Sequence, residues 1–150
     1  MEVDLVNRYP HDWLQWTNSE DDGDFKMPKN RAFRTPSDQE VQLCVLKKNV
    51  SPLEHFIKTL ERTPAATLRK LRVLLIDDEC DSASVNGASN ELDMTAINKL
   101  IRQVVKLIPA VSYVGYSATP FANVLISPYP PQSTELDDLY PRDFITLTIF

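Results

Sequence analysis

The chain reads as an α/β fold: a small parallel sheet with crossover helices. Three short apolar runs, Val41–Leu46, Val73–Ile76 and Val111–Tyr116, have the length of strands. Between them, Leu53, Phe56, Ile57 and Leu60, then Met94, Ile97, Ile101, Val104, Val105 and Ile108, recur at helical spacing. The second run passes directly into Asp77, Asp78, Glu79 and Asp81. Strand, helix, strand, helix, strand is the order of a parallel sheet with right-handed crossovers. Acids at the end of such a strand lie on the carboxyl edge, where open α/β sheets bind ligands.

Residues 1–40 carry no sustained period and read as an irregular N-terminal arm. Glu20, Asp21, Asp22 and Asp24 make an acidic turn around Gly23. Lys26, Lys29, Arg31 and Arg34 follow, with Phe25 and Phe33 interleaved. Basic residues mixed with aromatics can bind nucleic acid by charge and stacking. The favoured reading is a solvated arm anchored by two rings, because charge patterning alone is weak evidence. Trp13 and Trp16 serve to dock this arm onto the core.

Residues 41–126 form the expected α/β core. Val41–Leu46 is the first strand, ended by Lys47, Lys48 and Asn49. Ser51, Pro52 and Glu54 match a capping box with Ser at N-cap, Pro at N1 and Glu at N3. That helix stops before Pro64. Residues 72–77 form the second strand, apolar at consecutive positions as suits burial on both faces. A polar loop spans 82–93. The second helix has Lys99, Arg102 and Lys106 opposite its apolar stripe and ends at Pro109. The third strand leads into Ser117-Ala118-Thr119-Pro120. Residues 127–150 are a C-terminal extension that ends inside the apolar run 144–150, the expectation for a truncated piece.

With 150 residues, 43% hydrophobic and 25% charged, the chain is long enough and apolar enough for one globular core. A net charge of −5 argues against a generic polyanion binder, although a local basic face is compatible with it. Cys44 and Cys80 lie in or beside apolar runs and read as reduced thiols of a cytoplasmic protein. His11 and His55 complete no zinc spacing with them. No apolar run approaches the ~20 residues of a membrane span.

Crowded carboxylates repel one another and call for a neutralising cation. The acids at 77–81 therefore read as a Mg²⁺ site with a general base beside it. The bland alternative is an N-cap cluster opening a helix. Lys47, Lys48 and Asn49 sit on the strand-to-helix loop at the same carboxyl edge. They are placed there either to meet a phosphate or nucleic-acid backbone or as an exposed loop and nothing more.

A second motif gives these acids separate roles. Asp78-Glu79-Cys80-Asp81 followed one crossover later by Ser117-Ala118-Thr119 resembles the Asp-Glu-x-Asp and Ser-Ala-Thr motifs of superfamily-two helicase-like P-loop ATPases. The resemblance implies that Asp78 holds Mg²⁺ and that Glu79 activates the attacking water. It implies that Asp81 relays to Ser117, Ala118 and Thr119, which couple nucleotide state to nucleic-acid binding. More closely, the stretches 45–50, 53–54, 76–81, 97–98, 113–124 and 139–145 together are similar to the "Z-one" endonuclease-domain family of bacterial restriction and phage-defence proteins. The similarity covers roughly residues 41–146, and Tyr116-Ser117-Ala118-Thr119-Pro120-Phe121-Ala122-Asn123 is its most specific block.

The resemblance implies a partial three-layer RecA-like lobe, ATP and Mg²⁺ as cofactors, and DNA as partner of the parent protein. No Gly-x-x-x-x-Gly-Lys-Ser/Thr loop occurs in the chain. The expectation is thus an internal piece that lacks the phosphate-loop strand before it and a second ATPase lobe after it. By itself the piece does not turn over ATP. Its third strand, without the missing neighbour, presents an open apolar edge that favours self-association.

Three rival readings stand beside this one. Leu75-Ile76-Asp77-Asp78-Glu79 also matches the acidic pair of a receiver domain, but no Asp lies between Asp93 and Asp137 to accept a phosphoryl group. Asp24-Phe25-Lys26 could seat a nuclease metal but has no flanking strands. The third is a non-catalytic, degenerate interaction fragment.

Overall fold

The computed structural model describes residues 13–17, 24–25, 27–28, 30–36, 40–80 and 91–118. In order they form β1 (Trp13–Gln15), β2 (Val41–Leu43), α1 (Val50–Arg62), α2 (Ala65–Leu68), β3 (Val73–Asp77), α3 (Glu91–Leu107) and β4 (Val111–Gly115). The chain is α/β with parallel strands, and α3 crosses from β3 to β4, as the element order predicts. Asp81, Thr119, the acids 20–22, Lys26, Lys29, residues 82–90 of the expected polar loop and everything from 120 onward lie outside the described residues.

Among the described residues the strands of the expected single sheet lie in two pairs. β1 pairs with β2 in parallel, Trp13 opposite Val41, and β3 pairs with β4 in parallel, Val73 opposite Val111. The arm, which has no periodic signal, supplies a strand and fastens β2. Trp16 donates its N–H to the Leu43 carbonyl at 2.9 Å. Thr17, buried, donates its hydroxyl to the Val45 carbonyl at 2.7 Å and accepts the Val45 N–H at 2.9 Å. Three residues is a short strand, and these contacts extend the pairing beyond it.

The helix boundaries shift as well. α1 starts at Val50 with Asn49 as N-cap and no side-chain capping bond, so the Ser51 capping box does not form. Instead, the Asn49 carbonyl accepts the Leu53 N–H at 3.2 Å. α1 ends at Arg62, before Pro64, as predicted. Its apolar stripe is the expected one: Leu53, Ile57 and Leu60 are buried. α3 begins at Glu91, inside the segment expected to be loop, and buries Ile97, Ile101 and Val104.

α1 and α3 pack against each other and cover one face of the β3–β4 pair. Ile57, Leu60, Val104 and Ile108 gather with Val73, Leu75 and Val111, while Leu53, Ile97 and Ile101 gather with Tyr113. The arm enters the same core through Phe25, Met27 and Phe33. Burial along β3 therefore alternates: Leu74 and Ile76 remain 62% and 50% exposed. The expected burial on both faces is not found among the described residues, because both helices lie on one side. The consecutive apolar run is a strand, but only its odd-numbered side chains face the core.

Candidate functional site

The alternation of β3 decides which acid goes where. Asp77 shares the helix-facing side with Val73 and Leu75 and is 5% exposed. Asp78 and Glu79 follow in a turn and are exposed. A buried carboxylate needs partners, and those of Asp77 include a cation and a hydroxyl. The Lys48 ammonium donates to its Oδ1 at 2.9 Å, and the Tyr113 hydroxyl donates to its Oδ2 at 2.7 Å. Register explains the second contact. Tyr113 stands opposite Leu75 on the adjacent strand, so its ring runs along the same face towards the next inward side chain, Asp77. Among the described residues, no three His, Cys, Asp or Glu side chains gather as a metal cage.

Lys48 also contacts the backbone of the turn. Besides Asp77, its ammonium donates to the Asp78 carbonyl at 2.7 Å and the Glu79 carbonyl at 2.7 Å. Of the basic loop, Lys47 and Asn49 stay exposed. The Lys47 N–H donates to Asp24 Oδ1 at 3.2 Å, which ties the loop to the arm. Asp24 Oδ1 also accepts the Phe25 N–H at 2.9 Å. The carboxylate suggested as a nuclease ligand is therefore engaged in backbone contacts.

The turn itself is strained and pinned. Glu79 adopts φ 50°, the left-handed region that costs a non-glycine residue about 1 kcal/mol. Its N–H donates to Asp78 Oδ1 at 3.1 Å. On the other side, the Tyr116 N–H donates to the Asp77 carbonyl at 2.8 Å, and the Cys80 N–H donates to the Tyr116 carbonyl at 2.9 Å. The acid turn after β3 is therefore joined to the segment that follows β4. Ser117 is half-buried and Ala118 exposed, while Asp81 and Thr119 fall outside the described residues.

Two further residues shape this edge without any local signal in the sequence. Cys80 is buried over β4, and a Cβ built on Gly115 would come within 2.7 Å of its Sγ and 3.1 Å of its Cβ. The glycine gives the acid turn room to close on the neighbouring strand. Gly115→Ala is expected to cost about 1–3 kcal/mol, in the range of overpacked sites. In a urea-unfolding double-mutant cycle, Cys80→Ala should recover most of that loss; additive losses would show that the two residues do not compete for space. Asn98 on α3, 1% exposed, accepts a hydrogen bond at Oδ1 from Arg102 Nε. Arg102 is thereby held against its own helix.

The arm's aromatics are core residues. Phe25 and Phe33 are 3% and 8% exposed and stack at 6.2 Å between centroids. Phe56 meets Phe25 edge-on at 5.2 Å and Phe33 at 5.6 Å. Rings buried in this way do not present a face to a nucleic-acid base. Arg34 lies 5.8 Å above Trp16 and 3.9 Å from Glu40, so it too is spent on the arm's own surface. The anchored-arm reading agrees with these contacts, and the stacking alternative for Phe25 and Phe33 does not.

No helix among the described residues is long and apolar enough to cross a membrane. Searches with the sequence and the structure find no match: no family model, no curated protein and no solved structure resembles the chain closely enough to count.

Proposed function

We propose that this chain carries the acid half of a Mg²⁺–ATP site in a helicase-like, DNA-acting ATPase of the "Z-one" endonuclease-domain kind. The observation that supports it most is the pairing of two exposed neighbours, Asp78 and Glu79, on the carboxyl edge of a parallel strand, beside the turn that follows β4. The donor set fits the cation: Mg²⁺ is usually held by one or two carboxylates together with substrate phosphates and waters, so no closed protein cage is needed. Asp78 would hold it. Bound there, the cation would neutralise charge on the phosphates. Glu79, whose side chain is exposed, would accept the proton of the attacking water.

The 150 residues contain no glycine-rich phosphate loop, so this reading needs that loop from a segment outside them. Restriction or phage defence, a cytoplasmic location and action on DNA belong to the same proposal. Hydrolysis is assigned to the longer protein and not to this piece alone.

Exposed Leu74 and Ile76 favour a second reading, a non-catalytic interaction fragment that associates through its uncovered strands. Hydrolysis separates the two. In the longer protein, Glu79→Gln should lower Mg²⁺-dependent ATP turnover about a hundredfold with nucleotide binding retained, a magnitude ordinary for loss of a general base. Asp78→Ala should weaken the Mg²⁺-dependent part of binding. Unchanged turnover in both variants would remove the ATPase reading and leave the interaction fragment.

A further inference from the structure

We infer that Lys48 is a positioning residue: it sets the conformation of the Asp78–Glu79 turn by hydrogen-bonding its backbone, in addition to pairing with Asp77. The inference gives Lys48 a place in the site proposed above and rests on that reading for its functional meaning.

A lysine ammonium has three protons to donate. Each one is accounted for here: Asp77 Oδ1 at 2.9 Å, the Asp78 carbonyl at 2.7 Å and the Glu79 carbonyl at 2.7 Å. A charge partner for a buried carboxylate requires only the first of these contacts. The other two fall on the two residues whose side chains would meet the cation and the water. They also fall at a strained position, because Glu79 is left-handed at φ 50°. Other pins on the turn act on different atoms: Tyr116 bonds the Asp77 carbonyl and the Cys80 N–H. Lys48 ties the carbonyls of both acids to the inward-facing Asp77.

Its own placement is built from elsewhere in the chain. Lys48 lies between the arm-bound Lys47 N–H and the Asn49 N-cap of α1, and its side chain is only 22% exposed. A lysine here works as a compact point donor whose protons can diverge to three acceptors. Arginine, with a planar fork, would match the carboxylate but not the two carbonyls as well.

Amide hydrogen exchange by NMR tests the inference without any ligand. Lys48→Met alone takes the cation from a buried carboxylate and can unfold the chain, so the comparison is Lys48→Met/Asp77→Asn against Asp77→Asn. The Cys80 amide should exchange at least about tenfold faster in the double variant, with Leu60 and Val104 in the helical core changed by no more than about twofold. Lys48→Arg should also speed exchange at Cys80. Mn²⁺ binding followed by electron paramagnetic resonance should weaken about tenfold in the double variant relative to Asp77→Asn, the scale on which partners behind a metal ligand act.

Equal Cys80 exchange in the two variants would overturn the inference. So would faster exchange with equally tight, Asp78-dependent Mn²⁺ binding, since the turn would then not need Lys48 to present its acid. If the unsubstituted chain shows no Asp78-dependent Mn²⁺ binding, the metal-site reading fails, and Cys80 exchange still decides whether Lys48 orders the turn.

Discussion

Lys48→Met is expected to destabilise the chain by about 3–5 kcal/mol, measured by urea unfolding, because it strands a buried charge. Asp77 has a side chain 4% exposed, whereas Lys48 is 22% exposed. That difference makes the pair asymmetric. Without Lys48, the Asp77 carboxylate loses the cation beside it, keeps the Tyr113 hydroxyl and has little access to water. Without the Asp77 charge, Lys48 keeps two backbone carbonyls and reaches solvent. Asp77→Asn should therefore cost less, about 1–3 kcal/mol, the range for a lost hydrogen bond to a charged group. The double variant should lie nearer to Asp77→Asn than to the sum of both losses. A Lys48→Met chain within about 1 kcal/mol of the unsubstituted one would mean that the pair is solvated, as surface ion pairs are.

Phe25→Ala should cost about 3–5 kcal/mol, as for other large aromatic truncations in packed cores. The ring touches both Phe33 and Phe56 and lies 5.6 Å from the His55 ring. His55 Nε2 in turn donates to the Met27 carbonyl at 3.0 Å, which draws the arm onto α1. Removing the phenyl group would leave a cavity between arm and helix, and the backbone on both sides is tethered too firmly to close it. Arg31→Ala, an exposed neighbour in the same arm, should change stability by no more than about 0.5 kcal/mol. Thermal or urea unfolding of the two variants reads the difference directly. Similar small losses in both would mean that the arm is a surface feature and that residues 41–118 fold without it.

Helices were the most legible part of the fold. The stripes Leu53, Ile57, Leu60 and Ile97, Ile101, Val104 state which faces are buried, because helical period and burial have a common cause. Boundaries are less so: Ser51, Pro52 and Glu54 have the composition of a capping box, yet Asn49 is the N-cap of α1 and no side-chain capping bond forms. The β3 run was legible as a strand but not as a half-covered one. Four adjacent apolar residues cannot say how many helices will pack on each side.

The site shows the same division. By itself, the sequence determined that four acids follow an apolar strand and that a Ser-Ala-Thr turn follows the next one; chemistry and chain order place both at one sheet edge. Only the tertiary structure decided which acid is exposed. The pleat turns Asp77 inward, where Lys48 and Tyr113 hold it, and leaves Asp78 and Glu79 outside. Tertiary structure alone also gave Lys48 its three acceptors, made Gly115 necessary beneath Cys80 and brought Phe25 into the core. Each of these depends on groups far apart in the chain. Local spacing records the period of a strand or helix, but not which distant partner will meet its face.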